Sequence, residues 1–212
     1  MQIHSRLTPA IIVVVIWASL STILGGGGTF ESAPGHLPVA LLLSLVLPIA
    51  LFAIAYAGSE AFRRYVLGLD LRLLTAIQGW RIIGGMFLVL MCFHLLPGAF
   101  AWPAGVGDTI VGIYAPFVVY ALVRRSPSWR RQVILLSILG LLDFVGAIGS
   151  GILAGDNPIG VLHGPIGTEL MQRLPLSIIP TFGVPAWILV HWISLLKVTR
   201  YHVSELGTDG TA

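Results

Sequence analysis

Four polar side chains stand inside apolar stretches of the sequence, and their chemistry has to be explained first. Gln78 and Arg81 interrupt one apolar run, Asp143 lies in a second and His191 in a third. An ionisable group at bilayer depth costs at least ~2.5–3.5 kcal/mol on insertion scales, so it faces the bundle interior and takes a partner. At ~1.5 Å rise per residue, Arg81 stands ~12 Å, Asp143 ~17 Å and His191 ~9 Å from the arginine-rich side. These depths let the three meet in one half of the membrane. Arg81 and Asp143 are each otherwise unpaired, which predicts an Arg81–Asp143 ion pair. Gln78, one turn from Arg81, and Ser137 are placed to complete the hydrogen bonding. Such a cluster either fixes helices against one another or lines a polar path.

A second set lies towards the opposite face. His94 closes the third apolar run, and Asp108 is expected to open the fourth helix as its N-cap, where free backbone N–H groups and the helix dipole favour a carboxylate. The connection 95–107 is uncharged and rich in proline and glycine, which suits a re-entrant or tightly packed turn. The long loop 155–174 carries Asp156, His163, Glu169 and Gln172 and is expected to fold over the outer mouth.

Several chemistries are excluded. His94 and His191 differ in depth by ~20 Å and cannot ligate one haem iron. His94 with His163 remains a geometric option for haem, as does a metal held by those two and Asp108, although no HExxH or close histidine spacing supports zinc. There is no Walker loop, GxSxG or Rossmann fingerprint. The Gly25–Gly28 run lacks the Lys-Ser/Thr that phosphate binding needs, and no nucleophile has a base beside it, which argues against an enzyme. The single cysteine, Cys92, forms no internal disulfide and no CxxC motif. No cofactor is identified from the sequence.

The elements that position these groups follow from composition. The chain has 212 residues, 56% hydrophobic and only 10% charged, with a mean hydropathy of +0.92. A soluble domain carries about 25% charged residues; this chain cannot solvate its own surface, so lipid is its solvent. A span needs ~20 apolar residues, and six stretches qualify or nearly so: 9–24, 37–58, 73–94, 104–123, 132–154 and 175–197. The expected fold is all-α, a polytopic helix bundle over residues 1–203 with about six transmembrane helices. His4 and Arg6 precede the first run without a clear A-x-A cleavage site, so it reads as a retained helix and not a signal peptide. Residues 204–212 are expected to form a disordered cytoplasmic tail.

Ten of the twelve Lys and Arg residues fall at the N-terminus, in 59–72, in 124–131 and at the C-terminal end. By the positive-inside rule these segments are cytoplasmic, and an even number of spans puts both termini inside. The basic charge therefore reports topology and not nucleic-acid binding. Segment 59–72 is either an ordinary basic loop or a short surface helix, with Phe62, Tyr65, Val66 and Leu69 at helical spacing. Gly146, Ala147, Gly149, Ser150 and Gly151 give the fifth span a small-residue face for close helix packing. Pro180 and Pro185 make the sixth span the one expected to be irregular.

The segment Arg81-Ile82-Ile83-Gly84-Gly85-Met86-Phe87, followed by Leu96-Pro97, Phe100-Ala101 and Pro103-Ala104-Gly105-Val106-Gly107-Asp108, resembles a group of uncharacterised bacterial polytopic membrane proteins. The stretch from Pro175-Leu176-Ser177-Ile178-Ile179-Pro180 to His191 is similar in that group too. The resemblance implies a multi-pass protein of a bacterial inner (cytoplasmic) membrane and no particular activity. Three readings follow. The first is a non-catalytic subunit or assembly factor that associates with the bilayer, with other membrane proteins or with itself. The second is a small-solute or proton-coupled transporter using Arg81 and Asp143. The third is an outer-face haem or metal redox site.

Overall fold

The computed structural model describes the backbone of residues 2–206 and the side chains of residues 7–200. Six segments are long and apolar enough to cross a membrane: Leu7–Gly26, Val39–Gly58, Leu71–Cys92, Gly98–Val123, Trp129–Leu153 and Ile179–Arg200. The protein is an all-helical, multi-pass membrane bundle, with no strand among the described residues. Exposed leucines, isoleucines and valines cover the outside of these helices, as expected where the solvent is hydrocarbon.

Helix α1 (Gln2–Gly26) lies at the edge of the bundle, and nearly all of its apolar residues are exposed. It touches the rest through Trp17, edge-on to Phe182 at 5.1 Å, and through Gly25 against Leu174 and Ser177. Helix α2 (Val39–Gly58) leads into α3 (Glu60–Leu67), which is the short surface helix and not a loop. Ser59 caps α3 by accepting from the Phe62 N–H at 3.2 Å, and Val66 is buried against Phe52 and Ile193. Arg63 donates to the Tyr56 and Ala57 carbonyls at the end of α2, and Lys197 Nζ to Leu67 O at the end of α3. Cations there satisfy free carbonyls and oppose the helix dipole.

The third span is not one regular α-helix. Helices α4 (Leu71–Ala76) and α5 (Met86–Cys92) flank a 3-10 segment, Ile77–Gly85. Such long 3-10 runs are uncommon, and their side chains at i and i+3 eclipse. One stripe results: Thr75, Gln78, Arg81 and Phe87 are buried with Gly84 between them, while Ile77, Trp80 and Ile83 face outwards. His94 closes α5 with a positive φ of 57°, and the N–H groups of His94 and Leu95 bond back to Met91 and Leu90. This is a helix-ending left-handed turn, and it leaves His94 exposed.

Helix α6 (Gly98–Val123) starts at Gly98, not at residue 104. The expected re-entrant turn over 95–107 is therefore helical from Gly98 onward. Helix is the winding that satisfies backbone polar groups in lipid, and glycine and proline are tolerated there. Helix α7 (Trp129–Leu153) packs antiparallel beside α6. The last span opens with a π-helical turn, Ile179–Gly183, before α8 (Val184–Leu206). The irregularity falls at Pro180 and Pro185, as the sequence predicts, because Pro185 cannot donate to the carbonyl one turn back. The helix continues to Leu206, beyond residue 204, where the tail was expected to begin; residues 207–212 of that segment lie outside the described residues.

Candidate functional site

Arg81 is the centre of the buried polar groups, with its side chain 2% exposed. Its Nη2 donates to Asp143 Oδ2, its Nε to Asp108 Oδ1 at 2.7 Å, and its Nη1 faces His191 Nε2 at 3.1 Å and the Gly140 carbonyl at 3.4 Å. The guanidinium carbon also lies 3.9 Å from the Phe144 ring centroid, a cation–π arrangement. One side chain from the 3-10 segment thus joins α6, α7 and α8. Because the Arg81 Nη1–H points at His191 Nε2, that nitrogen accepts and the imidazole is neutral, with its proton on Nδ1.

Three glycines make room for these groups. A Cβ at Gly84 would overlap Asp108, one at Gly107 would overlap Asp143, and one at Gly140 would overlap His191 and Arg81. Each polar side chain of α6, α7 and α8 therefore lies in a notch on the preceding transmembrane segment. Gly112 likewise abuts the Ile82 backbone, which holds α6 close against the 3-10 segment.

The structure joins Arg81, Asp143 and His191, as their depths predict, and adds Asp108. Asp108 is not an N-cap. With α6 starting at Gly98 it lies ten residues into the helix, or ~15 Å down, where it binds Arg81. Gln78 does not complete the network: neither polar atom of its buried side chain has a hydrogen-bond partner among the described residues. His94 and His163 are both exposed, and Asp108 is bound elsewhere, so these three do not form one site. Among the described residues no three His, Cys, Asp or Glu side chains group so as to hold a metal. Glu169 Oε1 accepts from the Asp156 N–H at 2.7 Å.

Two clefts meet at Asp108. The larger in open space, about 830 Å3 with its open mouth included, runs between α2, α6 and α7 and is walled on its loop side by Asp156, Asn157, Thr168 and Gln172. The loop 155–174 thus borders the cleft. Thr168 Oγ1 ties it to Gly151 O, and Gln172 Oε1 accepts from Ser32. The smaller cleft, about 510 Å3, runs between the 3-10 segment and α8 and is edged by the exposed Trp80 and Ile83. Phe87, Asp108, Phe144, Ile179 and Val184 line both. The buried Trp187 Nε1–H at the smaller cleft has no acceptor among the described residues.

Asp108 was missed as a member of the cluster because Pro103, Gly105 and Gly107 read as a turn. The usable signal was a glycine close to three of the four polar residues: Gly84 after Arg81, Gly107 before Asp108 and Gly140 before Asp143.

A family model described as a domain of unknown function (DUF8737) matches residues 37–199, well over half of the chain. The chain belongs to the DUF8737 family. The part matched to DUF8737 contains Arg81, Asp108, Asp143 and His191 and both clefts, and leaves out α1. No curated protein and no solved structure matches the chain.

Proposed function

We propose that this protein is a small-solute carrier of a bacterial inner membrane, linked to proton movement, with the Arg81–Asp108–Asp143–His191 cluster as its binding and coupling centre. The observation that carries this reading is that Asp108 lines both clefts while it binds Arg81. The Asp108 side chain is 16% exposed, against 6% for Asp143 and 2% for Arg81. A carboxylate joined to a fully enclosed ion-pair network, yet reachable from a cleft, can pass a change in its occupancy to four transmembrane segments. The 3-10 segment and the π-turn border the cluster, and both windings are recurrent at functional sites. On the positive-inside assignment the larger cleft opens towards the outside.

The test is proton flux into proteoliposomes holding a pH-sensitive dye, screened against sets of amines, carboxylates and neutral solutes. Solute-dependent flux is expected from the wild type and is lost in Asp143→Asn. A flux that Asp143→Asn leaves unchanged rules out the cluster as the coupling centre.

One observation favours a second reading, that of a non-catalytic subunit. Gly146 and Gly149 on α7 have nothing within 4 Å of a built Cβ, and Leu142 and Val145 beside them are exposed. A face of this kind suits close approach by a helix of another membrane protein or of a second copy. Affinity purification from native membranes tests it: a constant companion lost in Gly146→Leu, with Asp143→Asn retaining it, supports the subunit reading over the carrier.

A further inference from the structure

We propose that the solute is a monovalent amphiphilic cation, such as an organic ammonium on an apolar body, and that it exchanges for one proton at the Asp108–Asp143 pair. This rests on reading the larger cleft as a solute site.

The argument begins with charge. With both carboxyls ionised the cluster holds one positive and two negative charges, because His191 accepts from Arg81 and is neutral. An unbalanced charge in a low-dielectric interior is costly. One further positive charge therefore balances the site, either a proton on the carboxylate pair or a cation against Asp108. An anion is disfavoured, because every nitrogen of Arg81 already faces a partner and the side chain is enclosed.

The lining narrows the class of cation. Phe87, Phe100 and Phe144 stand along the larger cleft, and Trp80 and Trp187 along the smaller. Aromatic faces attract weakly hydrated organic cations, whereas a small metal cation needs several oxygen ligands, and among the described residues no three His, Cys, Asp or Glu side chains group to hold one. The smaller cleft, edged by outward-facing Trp80 and Ile83, admits an apolar body from the bilayer side.

The exchange balances simply. The cation enters against Asp108, the proton held on one of the two carboxyls leaves to water, and the charge of the cluster does not change. Arg81 from the 3-10 segment binds both carboxylates, Asp108 on α6 and Asp143 on α7, and His191 from α8 faces Arg81 on its remaining nitrogen. Asp156 lines the loop side, with Glu169 bound to its N–H, and α2 contributes only Leu41 and Leu42.

The experiment uses tetraphenylphosphonium and tetraphenylborate, ions of like size and shape and opposite charge, with the full chain in a neutral detergent. Equilibrium dialysis measures binding, and calorimetry in buffers of different ionisation enthalpy counts protons. The phosphonium is expected to bind at least tenfold more tightly than the borate and to release close to one proton, and Asp108→Asn is expected to weaken it at least tenfold. Equal binding of the two ions, or phosphonium binding without proton release, overturns the proposal. If Asp108→Asn does not fold, the contrast between the ions and the proton count on the wild type still decide. Ala147→Leu separates the two readings, since it fills the cleft wall without touching the cluster. If the two ions bind the wild type equally and Ala147→Leu blocks both, the cleft stands as a solute site and the cation assignment falls. If it alters neither, the cleft reading itself falls.

Discussion

Asp143 occupies the space that a side chain on Gly107 would fill. The carboxylate reaches Arg81 only because α6 offers no Cβ at that position. Gly107→Ala is therefore expected to push Asp143 off its partner and to destabilise the protein by about 1–3 kcal/mol, the usual range for overpacking a filled interior. Gly146→Ala is the control. Nothing lies near that position, and replacing a helical glycine with alanine is neutral or favourable by roughly 0.5–1 kcal/mol. Thermal unfolding in detergent distinguishes the two, and equal melting temperatures for both variants contradict the notch.

Arg81 is expected to be the most sensitive single position. Arg81→Ala leaves two buried carboxylates without their cation, and breaking a buried pair in this way costs roughly 3–5 kcal/mol. Combining it with Asp108→Asn and Asp143→Asn removes the uncompensated charges and is expected to recover part of the loss. The coupling is read from a mutant cycle, which is meaningful here because the three groups share one network. Strictly additive losses contradict the geometry.

Ser59→Ala is expected to cost about 0.5–2 kcal/mol, the usual range for a lost N-cap. Ser59 Oγ is the acceptor that ends the free N–H of Phe62. Ser59→Asp is expected to retain most of the stability, because it restores an acceptor at the same place. Hydrogen exchange at residues 60–67 reports the change locally. Exchange in Ser59→Ala that matches the wild type counts against the cap.

Orientation is tested with introduced cysteines, once the chain's own is removed. In a Cys92→Ser background, His94→Cys is expected to react with a membrane-impermeant maleimide added outside intact cells. Arg125→Cys is expected to react only after permeabilisation. Both positions lie at exposed helix-ending turns, so access is decided by side and not by burial. The reverse pattern inverts the bundle.

The six spans were legible because twenty-residue apolar runs have few alternatives, and Arg81, Asp143 and His191 were legible because a polar group at depth must find a partner. Asp108 was not, since Pro103 and the glycines around it signal a turn in water but are accommodated inside a helix in lipid. On the small-residue face of α7, Gly151 meets Phe100, whereas a Cβ at Gly146 or Gly149 has no neighbour within 4 Å among the described residues. The closest approaches instead involve single glycines, Gly84, Gly107, Gly112 and Gly140, each beside a polar group or a neighbouring backbone. The 3-10 winding was written only as a period of three in Thr75, Gln78, Arg81, Gly84 and Phe87. That pattern becomes visible when burial is known.

The notches also set an order of arrival. During synthesis the segment bearing Arg81 enters the bilayer before the three spans that supply its partners, with a hydropathy of 1.6 and a lone cation in it. Its first counter-ion comes with α6, its second with α7, and the imidazole that takes its last nitrogen only with α8. Until then each newly inserted helix finds the docking place for its own polar residue already carved into the one before it. Biogenesis of this bundle thus proceeds partner by partner, and a chain inserted only through the third span would leave the arginine without a carboxylate in the membrane.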